Sequence, residues 1–128
     1  MNERLDEILA KNLFLGVATS SETCDHDISY QIGFIRQKLF GEKHAAVVYE
    51  NYSPTHWTQQ VYVVDLETGK MHEVAARDLF NNAANQLRRA TIADERLTLT
   101  YDGAVQEIDI QKRISNSQEQ ALSWQKAS

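Results

Sequence analysis

Apolar positions near the start of the chain fall at helical spacing: Leu5, Ile8 and Leu9, then Leu13, with polar residues between them. That spacing predicts a helix over residues 3–12. The run LFLGVAT (13–19) is short and apolar, and it fits either a strand or a buried continuation of the helix. From Ile28 the stripe is Ile28, Ile32, Ile35 and Leu39, with Phe34 and Phe40 beside it. This predicts a second amphipathic helix, stopped where Gly41 can take the left-handed C′ position. Thr23, Asp25 and Asp27 lie just upstream, where a cap and negative charge favour a helix N-terminus.

The period then changes. HAAVVYENY (44–52) and WTQQVYVVDL (57–66) are rich in β-formers, and SPTH between them carries Pro54 at a turn-forming position. Pairing Tyr52 with Trp57 sets Val48 opposite Val61 and Ala46 opposite Val63, so apolar meets apolar. Gly69 turns the chain into a third strand, KMHEVA (70–75). Leu79, Ala83, Leu87 and Ala90 then predict a helix over 77–90, with Asp78 near its start and Arg88-Arg89 near its end. ERLTLTY (95–101) alternates cleanly, and Asp102-Gly103 is a type I′ hairpin signal that sets Leu97 opposite Ile108 and Arg96 opposite Asp109.

The fold expected from this pattern is α+β: an antiparallel sheet of about five strands, a three-stranded meander plus the C-terminal hairpin, with helices packed on one face. Residues 1–114 are expected to form a single domain. Residues 115–128 are a polar tail, in which Ser117 and Gln120 could box a short helix carrying Leu122 or the terminus could fray.

Composition adds limits. A chain of 128 residues with 42% hydrophobic and 24% charged residues can bury an ordinary core. No apolar run approaches the length that spans a bilayer, and the charged N-terminus lacks the apolar stretch of a secretory signal. One cysteine allows no internal disulfide. The expectation is a soluble cytoplasmic protein without a membrane partner. The formal net charge of −5 is spread along the chain and argues against a nucleic-acid partner, whose phosphates ask for a basic excess.

Chemistry is the thinnest signal. Cys24-Asp25-His26-Asp27 packs a thiol, an imidazole and two carboxylates together, yet no second cysteine or spaced ligand pair completes a metal site. Flanking carboxylates also disfavour a reactive thiolate at Cys24. The cluster therefore reads as a helix start. No phosphate-binding glycine loop occurs, and no catalytic, metal or cofactor residue is assigned. What remains is YENYSPTHW (49–57), where Tyr49, Tyr52, His56 and Trp57 crowd one hairpin end with Glu50 nearby. Tyrosine and tryptophan dominate protein interfaces because they bury much area with few torsions. The same pair could simply stabilise its own hairpin.

Two functions are therefore expected in order. The first is a small acidic binding protein that acts by protein–protein interaction, in the manner of an inhibitor, immunity or anti-host factor, through Glu50, Tyr52, His56 and Trp57. Its partner is another protein, and the acidity suits a basic surface. The second is a small enzyme or ligand-binding domain whose cleft the sequence does not display. A deep polar pocket holding Cys24 or a histidine beside perturbed carboxylates would favour the second, and a flat face bearing exposed Tyr52 and Trp57 the first.

Overall fold

The computed structural model describes residues 2–20 and 29–114. The chain begins with α1 (Asn2–Asn12) and continues through eight strands: β1 (Gly16–Ser20), β2 (Ser29–Phe40), β3 (His44–Ser53), β4 (His56–Asp65), β5 (Met71–Asp78), β6 (Leu87–Ala93), β7 (Arg96–Tyr101) and β8 (Ala104–Asp109). The strands form two antiparallel meanders, a five-stranded sheet ordered β1-β2-β3-β4-β5 and a three-stranded sheet ordered β6-β7-β8. Among the described residues no helix is long and apolar enough to cross a membrane.

Both faces of the large sheet are covered. On one, Leu5, Ile8 and Leu9 of α1 pack against Ala45, Val47 and Val64. On the other, Ala46, Val48, Val61, Val63 and Val74 meet Leu87, Ala90, Leu97, Leu99 and Ile108 of the small sheet. Consecutive strand residues point to opposite faces, so β3 contributes to both cores and is buried from His44 through Glu50. Each fully buried aliphatic side chain here contributes roughly 1.5–3 kcal/mol, which favours this double cover.

This arrangement corrects the expected α+β fold with helices on one face. The structure is mostly strand, one helix covers one face, and a second sheet covers the other. The C-terminal hairpin joins β6, not the meander.

Two expected helices are strands, for identifiable reasons. In β2 the register slips between Ile35 and Gln37, so Arg36 is an extra, bulged residue. The slip puts Ile32 and Leu39 on the face toward the small sheet, while Ile35 packs toward α1. Their helical spacing is thus two half-stripes of a strand out of phase. Over 77–90 the stripe is divided among three elements. Leu79 leaves β5, Ala83 enters a single 3₁₀ turn (Ala83–Asn85), and Leu87 and Ala90 lie in β6. Asp78 Oδ1 accepts from the Phe80 amide at 3.0 Å and Asn82 Oδ1 from the Ala84 amide at 3.1 Å. Such local side-chain bonds compete with a continuing helix.

The α1 helix and the hairpins follow the sequence closely. Of LFLGVAT, Leu13 follows on from α1 through its amide bond to the Leu9 carbonyl, and only Gly16–Thr19 are strand, in β1. Tyr52 pairs with Trp57, Val48 with Val61 and Ala46 with Val63, and the pairing runs one step further to Ser53 and His56. Leu97 pairs with Ile108 and Arg96 with Asp109. At the Asp102-Gly103 turn only Gly103 has positive φ, +80°. The type I′ pattern, positive at both central residues, occurs at Asp94 (+51°) and Glu95 (+57°) between β6 and β7. Cys24–Asp27 and the tail 115–128 lie outside the described residues. Asp109 Oδ1 accepts from the Lys112 amide at 3.1 Å and caps the helical residues 110–114.

Gly33 lets the segment that leads into β1 pass close over the sheet at Phe14. A Cβ at this position would collide with the Phe14 carbonyl and the Tyr49 hydroxyl, which are themselves joined by a 2.6 Å hydrogen bond. Gly33→Ala is therefore expected to destabilise the protein by about 1–3 kcal/mol, the usual cost of overpacking. Chemical denaturation checks this, and an unchanged midpoint would show that the Phe14–Tyr49 tie does not constrain Gly33.

Candidate functional site

The central feature is a carboxylate where β3 outruns the small sheet. Glu50 pairs with Phe34 on β2 and Gln59 on β4, and one step along, Tyr52 pairs with Ile32 and Trp57. Paired residues share a face, so Phe34, Glu50, Tyr52 and Trp57 all stand on the side facing the small sheet. Glu50 is 0% exposed. Its Oε1 accepts from Trp57 Nε1 at 2.8 Å and from the Tyr52 hydroxyl at 3.1 Å. Its Oε2 accepts from Arg36 Nη1 at 2.8 Å. Arg36 follows Phe34 by two residues, at the bulge between Ile35 and Gln37, and so stands on the same face.

Above the carboxylate the rings form a ladder. Phe34 and Tyr52 stack at 5.8 Å between centroids, and Tyr52 and Trp57 at 5.3 Å, with interplanar angles of 10° and 19°. All three rings are half-buried. Burial pushes the Tyr52 hydroxyl to a higher pKa than usual, and the hydrogen bond and negative charge of Glu50 add to the shift. The phenol therefore stays a donor to Glu50 across the physiological range. Arg36 spends one donor on Glu50 while its side chain remains 47% exposed, which leaves guanidinium donors available to a partner.

Of the four residues singled out from the sequence, the fold brings Glu50, Tyr52 and Trp57 into one hydrogen-bonded cluster. His56 does not join them. It is exposed at the turn, with Nδ1 2.8 Å from Thr55 Oγ1 and 3.3 Å from Ser53 Oγ. Phe34 and Arg36 were missed because their segment reads as a helix; aromatic and β-branched residues at Tyr30, Ile32 and Phe34 were the available strand signal. Beside the cluster, Gln59 is buried, with Oε1 accepting from the Leu87 amide at 2.8 Å and Nε2 without a partner among the described residues.

A second polar group lies at the opposite end of β3. His44 is buried, with Nδ1 2.5 Å from Glu95 Oε2 and Nε2 4.0 Å from Asp65 Oδ2. It borders a cleft of about 530 Å³ lined by Arg4, Lys43, Asp65, Glu67 and Gln111. Glu95 also accepts from the Lys43 amide at 3.3 Å, and Asp65 Oδ1 from the Glu67 and Thr68 amides at 2.9 and 3.1 Å. Burial, the largest single influence on Asp65, pushes its pKa up. The Thr68 and Glu67 amides and the nearby His44 outweigh it and hold the carboxyl below the ordinary value. Among the described residues no group of three or more His, Cys, Asp or Glu side chains could hold a metal ion.

The cluster and the cleft each make a measurable demand. Arg36→Ala leaves a buried carboxylate without its counter-charge and is expected to cost about 3 kcal/mol. Arg36→Ala/Glu50→Gln is expected to recover part of that loss, because the neutral amide needs no counter-charge. Equilibrium denaturation of the three variants that complete this cycle checks the coupling, and strict additivity would rule it out.

Asp65 has its pKa depressed in the fold. Its contribution to stability is therefore present above the unfolded carboxyl value and is lost as pH falls through the lower folded one. Asp65→Asn is expected to flatten the loss of stability on acidification below about pH 4. Melting temperatures measured down that range read the effect, and parallel curves for the two proteins would refute it.

Comparison with protein-family models, with curated proteins and with solved structures finds no match to this chain.

Proposed function

We propose that this chain is a small binding protein that acts by occupying the surface of a partner protein. Its recognition face, in this reading, is the part of the large sheet that extends past the small one. The observation that carries the proposal is the Phe34–Tyr52–Trp57 ladder with the half-exposed Arg36 beside it, anchored on a fully buried Glu50. Stacked rings and an oriented guanidinium are the groups that concentrate binding energy at interfaces, and pre-ordering them lowers the entropy lost on association. Val17 and Tyr30 continue the same face as exposed apolar side chains. Glu50 has no surface to offer and acts through the groups it holds. The net charge of −5 favours a partner with a basic surface.

A second reading has its own observation, the polar cleft at His44. A buried imidazole between two carboxylates suits a small polar ligand or proton transfer. Against it, Glu95 and Asp65 are already engaged with backbone amides of neighbouring turns, so the group also serves as a clasp between the sheets.

The test places a photo-crosslinker at Tyr30 in the source cell and, as a control, at exposed Val105 on β8. A protein captured at Tyr30 and not at Val105 is then measured against Phe34→Ala and Arg36→Lys, each checked for folding. Each substitution is expected to cost about 2 kcal/mol of binding, mostly as faster dissociation. Undiminished binding by both folded variants would remove the ladder from the interface. Turnover of a substrate that ceases in His44→Ala would establish the cleft reading instead.

A further inference from the structure

Four strands stand at sheet edges: β1 and β5 in the large sheet, β6 and β8 in the small one. Three carry charged residues. β5 carries Glu73, Arg77 and Asp78, β6 carries Arg88 and Arg89, and β8 carries Glu107 and Asp109. Charges of this kind are how proteins keep an edge from pairing with another chain. β1 reads Gly-Val-Ala-Thr-Ser, with neither a charge nor a proline. Among the described residues no strand pairs with its outer side. Exposed apolar side chains also gather here: Phe14, Leu15 and Val17 on or before β1, and Tyr30 on its neighbour, with Val17 67% exposed.

We propose that β1 is the seam of a homodimer, in which two copies pair their β1 strands antiparallel about a two-fold axis at Ala18. The two five-stranded sheets then become one continuous sheet. An open strand edge presents N–H and C=O groups that another strand satisfies, and the composition of β1 suits its own copy. In this register Gly16 faces the partner's Ser20, Val17 the partner's Thr19, and Ala18 the partner's Ala18. Every opposed pair is small and uncharged, so the net charge of −5 on each chain is not brought together at the seam. Antiparallel pairing is isologous, uses the outer side of β1 in both copies and closes at two copies. Paired residues share a face, so Val17 gains the partner's Thr19 on one side while keeping Ile32 on the other. The seam does not rest on the recognition face proposed above, because mass is measured without any partner and either can fail alone.

The seam is short, which places the dimer in the reversible class of small interfaces. Sedimentation equilibrium of the full chain from about 1 μM to about 500 μM covers the affinities expected of that class. The expected result is a rise from the 14.6 kDa monomer toward twice that mass. Ala18 is exposed, so Ala18→Lys should fold as the parent does, and it sets two like charges directly opposite across the axis. This variant is expected to remain monomeric where the parent is dimeric. In a Cys24→Ser background, Ala18→Cys is expected to form an intermolecular disulfide faster than Val105→Cys. A parent that stays monomeric throughout, a dimer that survives Ala18→Lys, or equal crosslinking at positions 18 and 105 would each overturn the proposal. A monomeric parent that binds extended peptides of another protein along β1 would also overturn it, assigning the edge to that protein.

Discussion

The structure depends on one strand being buried on both faces. β3 is buried from His44 through Glu50, and alternate residues of that run enter different cores. Ala45 and Val47 require an apolar partner on one side, and Ala46 and Val48 require one on the other. An antiparallel sheet can leave a face to water, but this one cannot without exposing one of those pairs. α1 and the β6-β7-β8 sheet answer the two requirements separately. A single short helix is enough on its side because Tyr62, Leu66 and Met71 complete the cover around it. The other side needs the broader surface that a three-stranded sheet provides.

The same strand explains where the polar groups sit. Along the face toward the small sheet, β3 reads His44, Ala46, Val48, Glu50. The apolar middle is where the small sheet rests, and a titratable side chain stands at either limit, about 20 Å apart at strand rise. His44 reaches Glu95 in the β6–β7 turn and so binds the small sheet to the large one. Glu50 lies past the cover, and its charge is met within the large sheet by Arg36, Tyr52 and Trp57. A buried ion pair of this sort is weak evidence for stability, since desolvation offsets much of the attraction. Its firmer consequence is orientation: three donors from three adjacent strands converge on one carboxylate, and the stacked rings inherit that order.

What the sequence disclosed follows from whether local chemistry alone decides the structure. The Tyr52–Trp57 and Arg96–Asp109 registers were legible because a turn and alternating side chains agree over a few residues. The two strands mistaken for helices each contain a register slip, Ile35/Gln37 in β2 and Leu87/Arg89 in β6. An extra residue moves the alternation out of phase and counterfeits a helical period. With β2 misassigned, the strand count failed, Arg36 could not be placed opposite Glu50, and Phe34 could not be seen to continue the aromatic pair. Glu50 itself was noticed for its position beside the aromatics, but its burial depends on neighbours 14 and 7 residues away. The His44–Glu95 contact, 51 residues apart, exists only once one sheet is stacked on another.

Where the fold leaves bonding capacity unused bears on what it does. The His44 and Glu50 groups are largely satisfied from within, by carboxylates, amides and ring donors already in place. A ligand at either group would have to displace or share an existing hydrogen bond. Among the described residues, unused capacity is found in the exposed part of the Arg36 guanidinium, in the edges of the ring ladder and in the outer backbone of β1. These features share one end and one face of the large sheet, beyond the cover of β6-β7-β8. A protein that needs a rigid surface for recognition gains from that division, because the two cores hold the sheet while its overhanging end keeps donors and ring edges free for another chain.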